Sequence, residues 1–505
     1  MGICIGMQAL FESSDESDVL GLGIIPSHVG KFSNEGKAVP CMGWNGATLL
    51  NEVVGAKDTK INGLGEEESY YFVHSYRVAY DEKVADWACS ITKYGDEVYV
   101  SSVQKGNLFA TQFHPEKSGK AGLAVLKAWL EQKNSEVIDV AGLMKRDEVE
   151  VMAQAERNGF TKRIVACLDV RANDQGDLVV TKGDQYDVRE AEVVTTTTTT
   201  TTTSGAAATR EVRNLGKPVD LARRYFAEGA DEIAFLNITS FRSCPLHDQP
   251  MLDVVRQSAE TVFVPLTIGG GIRDTVDPDG TARSALEVAG TYFRCGADKV
   301  SIGSDAVYAV EELLKNGGVK SGKTGIETIS YAYGAQAVVV SLDPRRVYAV
   351  ALEDIPLVHR STAVDLASPL PNSTVALKAD LGPNGERYCW YQCTVQGGRE
   401  SRDIDVVQLA QGVEALGAGE ILLNSVDRDG SKAGFDIRLV NLVRSAITIP
   451  VIASSGAGKV EDFKDVFDRT GVEAALAAGI FHRKEVPIEA VKDYLLAEKI
   501  TVRRE

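Results

Sequence analysis

From Arg163 onward the chain carries the same half twice, which restricts that region to a fold built from two like halves. Val165-Ala166-Cys167-Leu168-Asp169-Val170 aligns with Val339-Val340-Ser341-Leu342-Asp343-Pro344. Gly229-Ala230-Asp231-Glu232 and its apolar run into Asn237 align with Gly417-Ala418-Gly419-Glu420 and the run into Asn424. The stretch from Val264 to Gly271 aligns with Ile449 to Gly458, and Gly296 to Ser304 aligns more loosely with Gly471 to Gly479. Each segment is a β-branched or aliphatic run ending in Gly, Ser, Asn or Asp. Each leads into a stretch of helical period, such as Ala282 to Arg294 or Val406 to Leu416. Eight strand-then-helix units predict a (β/α)8 TIM barrel with an internal half-barrel duplication, placed at 161–505. Near-continuous apolar strands suit a parallel sheet covered by helices.

In such a barrel the C-terminal strand ends form the site. Asp169 and Asp343 end strands 1 and 5, on opposite sides of the mouth, where two carboxylates divide general acid and base work. A lone strand-end Asp often only caps its loop; the duplicated pair favours chemistry. The glycine turns containing Gly270 and Gly271, and Ser455 and Gly456, bring backbone N–H groups toward an anion beside helix N-termini. Gly303-Ser304 and Ala478-Gly479 on the adjoining strands complete each cradle, so the substrate is expected to carry two phosphates. Arg163, Glu232, Lys299 and Glu420 open strands at the other end of the barrel. A charged ring closing the bottom is expected from them, with stability its default role.

The N-terminal unit, 1–135, reads differently. Gly2-Ile3-Cys4-Ile5-Gly6 has the form of a nucleophile elbow with Cys in place of Ser. A cysteine at a helix N-terminus is a strong nucleophile. Phe113-His114-Pro115-Glu116 adds an imidazole with a carboxylate two residues on, the logic of acyl transfer. A charged stretch of helical period, Asp147 to Asn158, makes 136–160 a helical linker. Thr195 to Thr203 is an unbroken threonine run that cannot pack a core, expected as a disordered expansion of the loop after strand 1. Arg345 to Arg402, with alternating runs around Gly382-Pro383-Asn384-Gly385, is expected to be a β-hairpin insertion.

A formal net charge of −17 with scattered basic residues argues against a nucleic-acid partner. The eight cysteines lack metal-ligand spacing and are expected to be reduced, so neither a metal nor a cofactor is anticipated. There is no membrane-length apolar run and no signal segment, and Gly6 replaces the Ser or Thr of a myristoylation motif. A cytoplasmic location is expected.

Nearly the whole chain resembles a known family. The run from Gly2 through Gln8, Tyr71-Phe72-Val73-His74-Ser75 and Gln112 through Gly119 resemble a class I glutamine amidotransferase. Arg163 to Val170, Val180-Thr181-Lys182-Gly183 and Asp427-Arg428-Asp429-Gly430 resemble the cyclase subunit of imidazole glycerol phosphate synthase, and the fusion resembles the fungal and plant bifunctional form. The resemblance implies that Cys4, His114 and Glu116 hydrolyse glutamine, with Gln8 near the substrate. It implies that ammonia crosses the barrel through a gate of Arg163, Glu232, Lys299 and Glu420. At the far mouth Asp169 and Asp343 would act on a bisphosphorylated ribotide, PRFAR, held by Lys182 and by Asp429 and Gly430, giving imidazole glycerol phosphate and AICAR. A monomer is expected, since both activities share one chain.

Amidotransferases of this kind begin several strands before the elbow, where a glycine-rich loop supplies part of the oxyanion hole. This sequence begins at the elbow. Cys4 is therefore expected to have no preceding strand and only the Ile5 N–H as oxyanion donor, leaving the glutaminase impaired and the cyclase dependent on free ammonia. The alternatives are a phosphoribosyl-formimino isomerase-like barrel, which needs no ammonia, and a non-catalytic remnant.

Overall fold

The computed structural model describes residues 1–52, 62–131, 143–173, 177–181, 214–238, 249–277, 279–369 and 380–504. Lys182 and the threonine run 195–203 lie outside the described residues.

The duplicated region closes as the repeat predicts. Its parallel strands are β1 (Arg163–Ala172), β2 (Glu232–Asn237), β3 (Leu266–Gly269), β4 (Lys299–Ile302), β5 (Val338–Leu342), β6 (Glu420–Leu423), β7 (Val451–Ala453) and β8 (Ala474–Ala477). They pair in that order, and β8 returns to β1 through Arg163 opposite Ala474, so the barrel has no free edge. Alternation along each strand divides the side chains. Val165, Cys167, Ala234, Val339, Leu422, Ile452, Ala474 and Leu476 cluster inside the barrel. Ile164, Ala166, Leu168, Ile233, Phe235, Val338 and Val340 face outward into the large core shared with the helices.

The helices start where side chains satisfy their first N–H groups. Asp405 accepts from Val407 N and Gln408 N at 2.9 Å and opens Val406–Leu416, as the period predicts. The helix expected from Ala282 begins instead at Ala285. Ser284 and Glu287 form a capping box there, and Ala282–Arg283 is taken up in pairing with Thr275–Val276.

The insertion after β5 is more than the expected hairpin. Pro344–Ala349 pairs antiparallel with Tyr388–Val395, which in turn pairs with Val364–Asp365 and Glu400–Asp405. The tight turn of this sheet lies at 396–399. Gly382 and Gly385 close a local turn within the long connection, with Gly385 N donating to Gly382 O at 2.8 Å. His359, fully buried, ties the insertion to the barrel by reaching Asp405 and Asp403 at 3.0 and 3.1 Å.

The N-terminal unit has a sheet in which Gly2–Ile3 lies parallel to Leu108–Thr111, followed by Glu97–Lys105, Ala88–Tyr94 and Thr48–Leu49. Cys41–Gly46 pairs with Ser69–His74, and from these strands Met42, Trp44 and Tyr71 join the barrel's core. The helix Glu148–Asn158, capped by Asp147, lies on this unit, with Asn158 Nδ2 donating to Thr48 Oγ1 at 2.9 Å.

Met42, Trp44 and Tyr71 meet the barrel at the starts of its strands. Trp44 Nε1 donates to Asp231 O at 3.2 Å, and the Arg503 guanidinium sits 4.3 Å from the Trp44 ring centroid. Arg503 and Lys492 both donate to Asp231 Oδ1, at 2.8 and 2.6 Å. The expected charged ring lies beside this contact. Arg163 bonds Glu232 at 2.8 Å and also bonds Glu420, while Lys299 reaches Glu232 and Glu420 at 2.7 Å each. All four residues are buried, and Thr267 Oγ1 donates to Glu232 at 2.7 Å. Burial opposes charge on Glu232, but Lys299 and Arg163 hold its carboxyl below the ordinary carboxylate range.

Removing one member of a buried charge set strands its partners. Arg163→Met is expected to lower unfolding stability by about 3–5 kcal/mol, because two carboxylates then face one ammonium. In the double variant Arg163→Met/Glu420→Leu, which leaves one balanced pair, most of that loss is expected to return. Urea unfolding of the parent and both variants checks this; a double variant no more stable than the single one contradicts it.

Candidate active sites

The first site grows from two adjacent parallel strands. Gly2–Ile3 and Leu108–Thr111 end side by side, delivering Cys4 and, three residues beyond Thr111, His114. The expectation that no strand precedes Cys4 is corrected here: Gly2–Ile3 is that strand, and Cys4 N donates to Thr111 O at 2.7 Å. Cys4 holds φ +50° at the turn into the helix Ile5–Gln8, the strained geometry of a nucleophile elbow. A Cβ on residue 2 would lie 2.7 Å from Gly6 O, so the turn requires Gly2. At Gly6 a Cβ would meet nothing within 4 Å, and the small residue expected there is not demanded by space.

His114 is fixed from both sides. Its N–H donates to Tyr71 O at 2.9 Å, and its Nδ1 is paired with Glu116 Oε1 at 2.7 Å. The ring also hydrogen-bonds Cys4. Burial favours the neutral imidazole, but the bonds and charges of Cys4 and Glu116 outweigh it, and the pKa is pushed up to about 10. Burial likewise opposes charge on Glu116, and His114 holds that carboxyl below its ordinary value. The arrangement presents a cationic imidazole to a sulfur nucleophile, with a carboxylate behind it. Gln8 is buried on the same short helix, its amide donating to Tyr76 O at 2.9 Å and Gln112 Oε1 at 3.0 Å.

The second site lies at the strand ends. Asp169 on β1 and Asp343 just after β5 stand on opposite strands of the closed barrel. Asp343 Oδ1 accepts from Asn424 Nδ2 at 2.7 Å, and its carbonyl accepts from Thr394 Oγ1 at 2.6 Å. Burial raises the Asp343 pKa; Asn424 opposes this and the Asp429 charge reinforces it. Asp169 Oδ1 lies 3.9 Å from the Cys167 thiol, within hydrogen-bonding reach for sulfur, and its carbonyl accepts from Thr181 N at 2.8 Å. Of the sequence candidates at this mouth, Lys182 alone lies outside the described residues.

Asp429, Gly430, Ser455, Gly456, Ala478 and Gly479 line one pocket of about 60 Å³. Ser455 has φ +72° and Gly456 φ +100°, and a Cβ on Gly456 would lie 2.2 Å from Gly434 O, so this loop excludes any larger residue there. Lys432 and Arg483 add positive charge to the pocket wall. They were missed in the sequence because they sit on loops with no repeat partner. In the other half Gly303 caps the helix Ser304–Lys315, Gly270 and Gly271 have φ +98° and +76°, and Ser304 Oγ accepts from Gln396 N at 2.9 Å. Asn424 was also missed as a site residue, although the repeat marked it as a strand end.

The family model for glutamine amidotransferase class-I matches residues 1–132, and that for histidine biosynthesis protein matches residues 163–487. Imidazole glycerol phosphate synthase hisHF of Emericella nidulans is 52% identical over 516 residues, covering all of this chain and 85% of that protein. The hisHF protein of Schizosaccharomyces pombe is 53% identical over 506 residues, covering all of this chain and 86% of that protein. The chloroplastic hisHF protein of Arabidopsis thaliana is 51% identical over 505 residues, with coverage of 100% and 77%. With an elbow cysteine facing an imidazole at one end of a duplicated barrel and paired aspartates at the other, the chain belongs to the bifunctional imidazole glycerol phosphate synthase family, a glutaminase domain fused ahead of a cyclase domain.

Proposed function

We propose that this chain makes imidazole glycerol phosphate and AICAR from PRFAR, using ammonia released from glutamine by its own N-terminal domain; the impaired glutaminase expected above would show instead as conversion with ammonium salt alone. The observation that carries the reading is the placement of the two sites on one barrel. The N-terminal unit covers the strand starts, where Met42 Sδ lies 3.5 Å from Lys299 Nζ, and the aspartates stand at the strand ends.

In the glutaminase half the Cys4 sulfur attacks the side-chain amide carbon of glutamine, and His114 gives a proton to the departing nitrogen as the C–N bond breaks. Water then cleaves the thioester, with His114 taking its proton, to leave glutamate and free Cys4. Glu116 stabilises the imidazolium. Gln8, on the short helix that follows Cys4, lies at the edge of the substrate position. Ammonia enters between Arg163, Glu232, Lys299 and Glu420, and passes the small interior side chains Cys167, Ala234 and Ala474.

At the mouth, the Gly270-Gly271 and Gly303-Ser304 turns hold one phosphate of PRFAR. Asp429, Gly430, Ser455, Gly456, Ala478 and Gly479 hold the other, with Lys182 reaching the substrate from the loop after β1. Asp343, whose raised pKa suits it to carry a proton, acts as the acid, and Asp169 as the base. Fusion of both activities supports a monomer. None of the seven described cysteines is in a disulfide, which fits a reducing compartment such as the cytoplasm. No helix among the described residues is long and apolar enough to cross a membrane.

PRFAR conversion, measured with glutamine and separately with ammonium salt, tests the assignment. Cys4→Ala is expected to abolish the glutamine-driven reaction and retain the ammonium-driven one. Asp169→Asn and Asp343→Asn are each expected to slow both by about 10²-fold or more. Ammonium-driven conversion that survives both aspartate substitutions overturns the reading.

Glu116→Gln removes one of the two groups that raise the His114 pKa. Its imidazole titration, followed by NMR, is expected to fall from about 10 toward the ordinary histidine value, with loss of glutamine-driven turnover. The charged imidazole contributes stability that is complete below pH about 6.5 and disappears as pH rises toward 10, so the variant should lose most stability at the acid end of that window.

A further inference from the structure

We propose that Gln112 is a positioning residue of the glutaminase site, its amide nitrogen aimed at the Cys4 sulfur by a one-way chain of hydrogen bonds that starts at the Tyr76 carbonyl. The inference deepens the glutaminase reading above and rests on it.

Gln112 is fully buried, and its Nε2 lies 3.5 Å from Cys4 Sγ, within hydrogen-bonding reach for sulfur. Which end of an amide faces a neighbour is settled by its partners. Tyr76 O is a carbonyl and only accepts. It takes hydrogen bonds from His74 Nδ1 at 2.7 Å and from Gln8 Nε2 at 2.9 Å. Gln8 must therefore turn its nitrogen inward, and its second N–H goes to Gln112 Oε1 at 3.0 Å. With its oxygen committed to Gln8, Gln112 has only its nitrogen to present to Cys4. A flipped amide would place two donors against each other and an oxygen against the sulfur.

The anchor is chemically quiet. His74 donates through Nδ1, and its Nε2 is buried with no hydrogen-bond partner among the described residues. Burial brings its pKa down to about 3; the bond to Tyr76 O opposes this, and the charges of His114 and Arg77 add to it. The direction of the relay is set by the Tyr76 carbonyl, which accepts whatever the charge on His74.

The consequence falls on Cys4. An N–H donor on the sulfur stabilises the thiolate over the thiol and selects one side-chain orientation at the elbow. His114 supplies charge from one side, and Gln112 supplies a fixed dipole from another. Gln112 is thus a part of the site that repeats and spacing did not reveal, because it contributes no titrating group.

The test reads the thiol without any turnover. In the full-length chain, alkylation of Cys4 by iodoacetamide is followed across pH by mass spectrometry of the Cys4 peptide. Gln112→Met keeps the length and removes the donor, and Gln112→Glu replaces the donor with an acceptor. The alkylation midpoint is expected to rise by about one unit in Gln112→Met, a tenfold slower reaction at pH below it, and further in Gln112→Glu. Superimposable unfolding curves confirm the fold. Gln8→Met, which leaves Gln112 intact but frees its amide to flip, should move the midpoint the same way by less. Unchanged midpoints in both Gln112 variants overturn the proposal and make Gln112 a packing residue. A shifted midpoint in a chain whose unsubstituted form never turns over glutamine supports the positioning role and sinks the glutaminase reading instead.

Discussion

The closed set of four buried charges at the lower end of the barrel is the constraint around which the rest is arranged. Arg163, Glu232, Lys299 and Glu420 come from β1, β2, β4 and β6, so their mutual bonds require those strands to be in register. One residue of slip in any of them would turn its charge outward into the apolar helix layer. The set also requires a cover. Left open to water, the pairs would be screened; left half-covered, their desolvation would be uncompensated. Met42, Trp44 and Tyr71 provide an apolar cover beside the ring while leaving its charges paired with one another. The barrel and the N-terminal unit are in this sense one electrostatic object.

The same cover connects to the chemistry above it. A single stretch, His114 to Gly119, carries the imidazole and its carboxylate partner. Two residues on from His114's proline, Lys117 bonds Asp298 of the barrel at 2.8 Å, and Gly119 N donates to Phe263 O at 3.0 Å. His114 itself is hung from the carbonyl of Tyr71, whose ring faces the charged set. The stretch that carries the imidazole is thus tied both to the N-terminal unit and to the barrel.

The barrel was legible because its repeat is carried by strand cores and glycine turns, features with a fixed physical meaning at each position. The paired aspartates and the four ring charges followed from where those strands begin and end. What was not legible lay where distant partners decide. The two-residue strand Gly2–Ile3 is too short to show a period and exists only because Leu108–Thr111 runs beside it. In the insertion after β5 the two alternating runs pair as expected, Pro344–Ala349 with Tyr388–Val395, but the added strands Val364–Asp365 and Glu400–Asp405 were not legible, since one is too short to alternate and the other is charged. The helix boundary at Ser284 was visible in principle, since Ser284 and Glu287 have the spacing of a capping box, but the apolar period ran past it. Asn424 and Gln112 stood in the repeat and in the run from Gln112 to Gly119, but what a neutral amide does there is decided by its neighbours in space.

The contact of Arg503 with Trp44 and Asp231 has a consequence for the order of assembly. On the ribosome the N-terminal unit emerges first, yet the barrel on which it seats closes only when β8 has been made and has paired with β1. Arg503 follows β8 by more than twenty residues, so the contact with the Trp44 ring draws on chain made after the last barrel strand. The seat of the N-terminal unit on the barrel is therefore completed by residues beyond the last barrel strand, so the contact that joins the two units is the last of its kind to become available.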